Sequence, residues 1–464
     1  NAGRAEEMAR RYAEVARRGS REDRATACYE WAREMEALRR FAEAETLYAR
    51  VVSLGGNDAA VSRLRRGICE FGAGRWSAAR ARLEEAAAAG SAEDRAFAWF
   101  WIYRSELARG RSEAARAALA EAARGKAGYY GRRAATALEL ARRAGGPSAL
   151  DPDAYWRAVA ELSGEPDLDR LRAAVETAPV GTGPARAAQG APGEPAAEGA
   201  PGALAAQGAP GEQAGQGDSG SAAEALVANG APAGAGPGAD GGATAGATEL
   251  SWLRDRLLFF RLAGRSAWAG MAREELARRP ELAGAGAADT WRRLGVEDLA
   301  ARAAVRSGGS LRHRYPRAFP AEVAGAAARF GVAPEWLWAV MRRESFFESS
   351  VVSGAGATGL LQLMEETART TAQRHGLEAG PLAAPRINVR LGAAHLADLL
   401  AEEPGAWPVV LAAYNAGLGN ARRWRRAGED PDFYIEMIGY RETREYVRHV
   451  AEAFWIYREL ARGE

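Results

Sequence analysis

Apolar positions recur three and four residues apart over most of the chain, the spacing of a helix with one buried face. In the first 147 residues the pattern also repeats at longer range. Arg40-Phe41-Ala42-Glu43-Ala44, Arg75-Trp76-Ser77-Ala78-Ala79 and Arg111-Ser112-Glu113-Ala114-Ala115 align, with starts 35 and 36 residues apart. Gly74 and Gly110 precede the second and third segments, where a tight turn between helices needs a residue tolerant of positive φ. Each segment follows another amphipathic run, such as Arg95 to Leu107 with Phe97, Trp99, Phe100 and Tyr103. Helix pairs of this period stack so that each unit buries its apolar face on the next, and small alanines let neighbours approach closely. An ordinary helical bundle with chance similarity between its helices would give the same pattern.

The pattern then changes twice. Residues 148–177 read as one or two further helices anchored by Tyr155 and Trp156. From Ala178 to Thr248 there is no aromatic residue and a single basic one, Arg186, while Gly-Ala-Pro-Gly recurs at Gly190, Gly199 and Gly208. Such a segment cannot bury enough apolar surface to offset chain entropy, and is expected to be a disordered insertion, residues 178–248. Helical periodicity resumes at Trp252, Leu253, Leu257 and Phe260, giving a helical linker over residues 249–315. Tyr315-Pro316 and Phe319-Pro320 open the last domain, residues 316–464, whose first helix runs from Ala321 to Phe330 and stops at Gly331.

The next helix carries the candidate chemistry. Pro334 suits its first turn, and Glu335 suits the positive end of its dipole. Leu337, Val340, Met341, Glu344 and Phe347 share one face, apolar except at Glu344. A carboxylate on a buried stripe loses water, which raises its pKa toward neutrality and fits it to donate a proton at pH 7. A helix end with a partly exposed glutamate would look the same by periodicity alone. Gly354, Gly356 and Gly359 follow, where backbone can bend sharply and approach a ligand, and then Gln362 between Leu361 and Leu363. Trp407, Val410, Leu411 and Tyr414 form a second apolar stripe, so the Tyr414 hydroxyl needs a buried partner.

Composition narrows the classes. The apolar fraction of 47% supports packed cores, and 62 basic against 60 acidic residues argue against a nucleic-acid binder. The positive charge is almost all arginine; Lys126 is the one lysine. Cys28 and Cys69, the only cysteines, make neither a disulfide framework nor a metal site, and read as small buried apolar residues. With four histidines and no Cys/His cluster, no metal and no cofactor are expected. No apolar run reaches membrane-spanning length.

Glu344-Ser345-x-Phe347, Ser353-x-x-Gly356-Ala357-x-Gly359-Leu360-x-Gln362-x-Met364-x-x-Thr367-Ala368 and Ala413-Tyr414-Asn415-Ala416-Gly417 resemble the catalytic domain of soluble lytic transglycosylases. Glu442-Thr443-Arg444-x-Tyr446-Val447, after Ile435-Glu436-Met437-Ile438, resembles the late motif of the same family, with Gly439 where proline is common. The paired helices of residues 1–147 resemble tetratricopeptide repeats. The resemblance implies an all-α chain: a helical-repeat superhelix, the insertion, the linker and a C-terminal goose-type lysozyme-like domain. It implies that Glu344 is the catalytic acid and base, and that Ser353, Gln362, Met364, Tyr414, Asn415 and Glu436 contact substrate. The implied activity is cleavage of the β-1,4 bond between N-acetylmuramic acid and N-acetylglucosamine in peptidoglycan, ending in a 1,6-anhydro-muramoyl product. The implied partners are glycan strands and cell-wall proteins on the repeats, with no nucleic acid, at the periplasm or envelope exterior. Two rival readings stay open, a goose-type hydrolytic muramidase and a repeat scaffold that only binds glycan. Glu348 matters to the first, since a second acid in the groove would permit hydrolysis. Because residues 316–464 carry their own apolar helices and every motif, they are expected to fold alone.

Overall fold

The computed structural model describes residues 10–15, 17–143, 156, 159, 252–257, 259–260, 266–279, 282, 286–294 and 296–462. The insertion expected at 178–248, most of the extension at 148–177 and part of the linker at 249–315 lie outside the described residues.

The repeats are three stacked helix pairs: α1 (Arg21–Ala37) with α2 (Phe41–Leu54), α3 (Ala59–Gly72) with α4 (Trp76–Ala89), and α5 (Ala92–Ala108) with α6 (Ser112–Ala123), followed by α7 (Gly128–Arg143). The alignment seen in the sequence is an alignment of core positions. Ala44, Ala79 and Ala115 are fully buried at equivalent places, and so are Tyr48, Leu83 and Leu119 one turn on. Ser20 and Ser91 start α1 and α5 through reciprocal capping boxes with Asp23 and Asp94. The turns inside the second and third pairs use Gly74 and Gly110, both at φ 72°. In the first pair Arg39 takes that left-handed position at φ 62°, and its guanidinium meets Glu429 at 2.6 Å. Cys28 and Cys69 are buried free thiols.

The linker contributes α8 (Ser266–Ala277), α9 (Ala287–Arg293) and α10 (Glu297–Arg306), packed around Leu257, Leu276 and Trp291. The last domain comprises α11 (Leu311–Arg314), α12 (Pro320–Phe330), α13 (Pro334–Glu344), α14 (Glu365–His375), α15 (Pro385–Glu402), α16 (Trp407–Ala416), α17 (Leu418–Trp424), α18 (Pro431–Glu436) and α19 (Arg441–Arg462). Among the described residues the only β pairing is two isolated bridges, Val352 with Thr358 and Thr358 with Leu363. Three helices of this domain are pinned by one aromatic sandwich. Trp336 of α13 lies flat between Trp407 of α16 and Phe454 of α19, each ring 4.0 Å away. Among the described residues, no helix is long and apolar enough to cross a membrane.

The last domain does not stand apart from the repeats. Phe433 of α18 packs on Phe41, Phe71 and Trp101. Asp432, fully buried beside it, accepts hydrogen bonds from Arg104 and Arg133, each at 2.9 Å, and from Trp156 at 3.1 Å. Arg33 donates to the Gly439 carbonyl at 2.6 Å. A side chain at Gly439 would start 2.7 Å from Trp424 Nε1, which accounts for glycine there. At the rim, Lys126 meets Glu459 of α19 at 2.8 Å. Asp432 thus ties the last domain to the repeats through Arg104 and Arg133, and to Trp156 of residues 148–177.

Candidate active site

Glu344 is the last residue of α13, and the chain turns sharply there. Ser345 makes the turn. Its hydroxyl donates to the Leu360 carbonyl at 2.8 Å and accepts from the Phe347 amide at 3.1 Å. Phe346 and Phe347 then adopt positive φ, 52° and 68°, which bulky residues hold only where packing fixes them. The helix end carrying Glu344 is thereby tied to the glycine-rich loop.

That loop is held from the other side by Asn388 of α15. The Asn388 side chain is fully buried, accepts from the Leu361 amide at 2.8 Å, and donates to the carbonyls of Thr358 and Leu382 at 2.9 Å each. Gly359 sits against it at φ 84°, and a Cβ there would lie 2.3 Å from both Asn388 Nδ2 and the Leu382 carbonyl. This is close backbone approach that excludes any side chain.

Glu344 lies half-buried in a cleft of about 430 Å³ that it shares with Tyr315, Arg343, Val351 and His449. Burial pushes its pKa up to about 7; Tyr446 and Arg343 pull it down and the charge of Glu442 pushes it up, all by less. The Tyr446 hydroxyl, buried on α19, is aimed at this carboxylate without completing a hydrogen bond of standard geometry. Tyr414 approaches from α16, its hydroxyl donating to the Leu361 carbonyl at 2.8 Å. Burial, and then the charge of Glu344, hold both tyrosines well above the ordinary phenol pKa, so they stay neutral. Glu348 is turned to the linker, 3.7 Å from Arg273 and 3.9 Å from Arg302.

The other expected contact residues divide. Met364 is exposed at the lip of the loop. Ser353 is half-buried and its hydroxyl accepts from the Ala357 amide at 3.0 Å. Gln362, at φ 45°, donates to the carbonyls of Val351 and Gly359 at 3.0 and 2.9 Å. Both therefore shape the loop. Asn415 accepts from the Thr443 hydroxyl at 2.6 Å, tying α16 to α19. The expectation that Glu436 contacts substrate is corrected. It has no exposed surface, and its carboxylate is taken up by Arg65, Tyr130 and Arg448, two of them on the repeats.

Sequence reasoning quoted Tyr446 and Glu442 within a motif but gave them no role. The available signal was helical spacing. Glu442, Tyr446 and His449 fall four and three residues apart, one face of α19, and that face looks at Glu344. Asn388 carried no signal, because its partners are main-chain atoms, two of them about thirty residues away in the glycine-rich loop.

Residues 322–436 match the Transglycosylase SLT domain family. The chain carries an SLT domain. Over 157 residues it is 32% identical to a putative soluble lytic murein transglycosylase of Haemophilus influenzae, covering 32% of this chain and 26% of that protein. Over 221 residues it is 28% identical to the soluble lytic murein transglycosylase of Escherichia coli K12, covering 45% of this chain and 34% of that one. The aligned parts thus span only about a quarter to a third of these curated relatives. The fold around the SLT domain is also similar to solved structures. An inactive mutant of lytic transglycosylase Slt from Pseudomonas aeruginosa superposes with a TM-score of 0.58 at 22% identity, over 95% of this chain and 58% of that one. A 70-kDa soluble lytic transglycosylase, solved in complex with bulgecin A, gives 0.54 at 18% identity, over 98% and 66%.

Proposed function

We propose that this chain is a peptidoglycan lytic transglycosylase that cleaves between N-acetylmuramic acid and N-acetylglucosamine and leaves a 1,6-anhydro-muramoyl end. The observation that carries the reading is Glu344, a cleft carboxylate with a pKa of about 7; Glu452, the other carboxylate lining the cleft, is drawn to Arg132 at 3.4 Å. Near neutrality a group like Glu344 can donate a proton and then accept one. Protonated Glu344 gives its proton to the glycosidic oxygen as the C1–O bond breaks, and positive charge develops at the muramic C1. The C6 hydroxyl of the same sugar then bonds to C1, and its proton returns to the Glu344 carboxylate. The enzyme ends as it began and no water is consumed. A tethered hydroxyl has an effective concentration on the order of 10⁵ M or more when well oriented, far above that of water. Tyr446, a neutral donor aimed at Glu344, suits the moment when it is charged, whereas the Tyr414 hydrogen is given to the Leu361 carbonyl.

Hydrolysis is the second reading, and Glu442, whose charge is felt at Glu344, and Glu452, which lines the cleft, are the acids that favour it. Glu348 supports it less, being drawn to linker arginines. Peptidoglycan lies outside the cytoplasm, so the proposal places the protein in the periplasm or at the envelope exterior. Protein partners on the repeats are part of the proposal only for surface that α18 does not occupy.

Purified sacculi digested in ¹⁸O-water separate the readings by mass. Transglycosylation gives anhydro ends, lighter by one water and free of label. Reducing ends labelled at C1 would overturn it in favour of hydrolysis, and intact sacculi would favour a binding scaffold.

A further inference from the structure

A buried ionic cluster joins the repeats to the helix that faces the active site. Arg65 of α3 meets Glu36 of α1 at 2.6 Å and Glu436, the last residue of α18, at 2.5 Å. It also donates to the Glu436 carbonyl at 2.9 Å. The same residue is gripped from α19. Arg444 donates to that carbonyl at 2.9 Å, and Arg448 to the Glu436 carboxylate, which also accepts from Tyr130 of α7. Arg65, Glu36, Glu436 and Arg444 are all buried.

Helical geometry gives the cluster a consequence. Arg444 and Arg448 lie one turn apart on one side of α19, and Tyr446, two residues from each, projects from the opposite side. Fixing both arginines on one carboxylate and its carbonyl fixes the rotation of α19 about its axis. Apolar packing alone would tolerate small rotations that a set of short, directional, charged hydrogen bonds does not. We propose that the repeats position the active site, with Arg65 acting through Glu436 to hold α19 in the register that presents Tyr446 to Glu344. Arg65 and Glu436 are positioning residues in this account, since neither touches the cleft.

Besides Tyr446, Arg343 on its own helix, Tyr414 on α16 and Glu442 on α19 interact with Glu344, and Arg342, His449, Glu452, Tyr315 and Arg302 line its cleft. Tyr446 favours the charged carboxylate, so losing its alignment raises the pH at which Glu344 ionises.

The test uses the full chain and three changes: Arg65→Lys, the neutral pair Arg65→Met with Glu436→Gln, and Tyr446→Phe. The double change removes the Arg65–Glu436 pair but also takes the ion-pair partner of buried Glu36, so the fold of the variant is checked first. Difference infrared spectroscopy from pH 5 to 9 follows the protonated carboxyl band of Glu344, assigned with Glu344→Gln. The neutral pair is expected to move the midpoint up by about half a pH unit or more, in the same direction as Tyr446→Phe, and combining the two should add nothing further. On sacculi kcat should fall about 10-fold with KM little changed, the mark of lost orientation rather than lost binding. Arg65→Lys should recover part of both effects. A folded neutral pair with the wild-type midpoint, a Tyr446→Phe variant without a shift, or shifts that add would each overturn the proposal. If the neutral pair does not fold, Arg65→Lys, which keeps the charge but loses the fork, is judged by the same midpoint. The kinetic arm alone rests on the proposed function. A shifted midpoint in a chain that leaves sacculi intact would sustain the positioning role and overturn the enzymatic reading.

Discussion

Glu344 holds its proton to about pH 7 in the folded chain, whereas an unfolded glutamate releases it near pH 4.3. Between those values the folded chain binds more protons, so this residue makes stability fall as pH rises through the window and has no further effect above it. Glu344→Gln removes that dependence. The loss of unfolding free energy between pH 5 and 8 should be smaller in the variant by about 2 kcal/mol, after allowance for partial exposure. Urea unfolding at both pH values checks it, and equal losses would show that Glu344 is not buried against its charge. The same variant should digest sacculi at least ~100-fold more slowly, the lower range for a missing general acid. Near-normal digestion would remove Glu344 from the mechanism. This residue was legible in the sequence because an apolar stripe with one carboxylate is a local pattern. Glu436 was not. Its partners Arg65 and Tyr130 come from the repeats, and no local spacing announces them.

At the scale of elements, the site is a helix end and a loop sewn together by side chains that bond to backbone. Asn388 makes three such bonds from a fully buried position. Asn388→Ala leaves buried amide and carbonyl groups unpaired and should cost about 2 kcal/mol or more. Chitooligosaccharide binding should weaken further than stability alone accounts for, because the loop shapes the groove. Denaturant melts and titration calorimetry on the same sample measure both, and unchanged binding would detach the loop from the site. The elements themselves were largely readable. Pro334 at a helix start, Gly331 at a helix end at φ 64°, and the buried faces of α13 and α16 follow the sequence pattern. Arg39 shows the limit. Its left-handed backbone stands where the other repeats use glycine, and its ion pair with Glu429 is a contact that the repeat alignment does not announce.

For the whole molecule, the boundary visible in the sequence is crossed by buried charged hydrogen bonds. Cutting at residue 316 would strand Asp432 without Arg104, Arg133 and Trp156, and Glu436 without Arg65 and Tyr130. Breaking a buried charged pair by removing one partner costs about 3–5 kcal/mol, and here two carboxylates lose partners together. Residues 316–464 expressed alone should therefore be insoluble or melt without cooperativity. Co-expression with residues 1–177 should restore a soluble complex that co-purifies. A soluble, cooperatively melting isolated segment would show that the interface is dispensable. The repeat period could be read from sequence because each unit repeats its own core positions. What the repeats hold could not, since α18 enters their surface from the far end of the chain.

The pairing of Lys126 with Glu459 has a practical side. Carbodiimide activates carboxylates and joins them to amines with no added atoms, and this sequence offers one side-chain amine. The Lys126 amine already lies 2.8 Å from a Glu459 oxygen, with both side chains about half exposed. Brief treatment should forge an isopeptide bond between those two residues in preference to others. Trypsin would then release one branched peptide joining the neighbourhood of residue 126 to that of residue 459, readable by mass in crude material. Its yield, followed while urea is raised, would report when the first and last parts of the chain come apart. Absence of the branched peptide from native protein would mean that these two ends do not meet in solution.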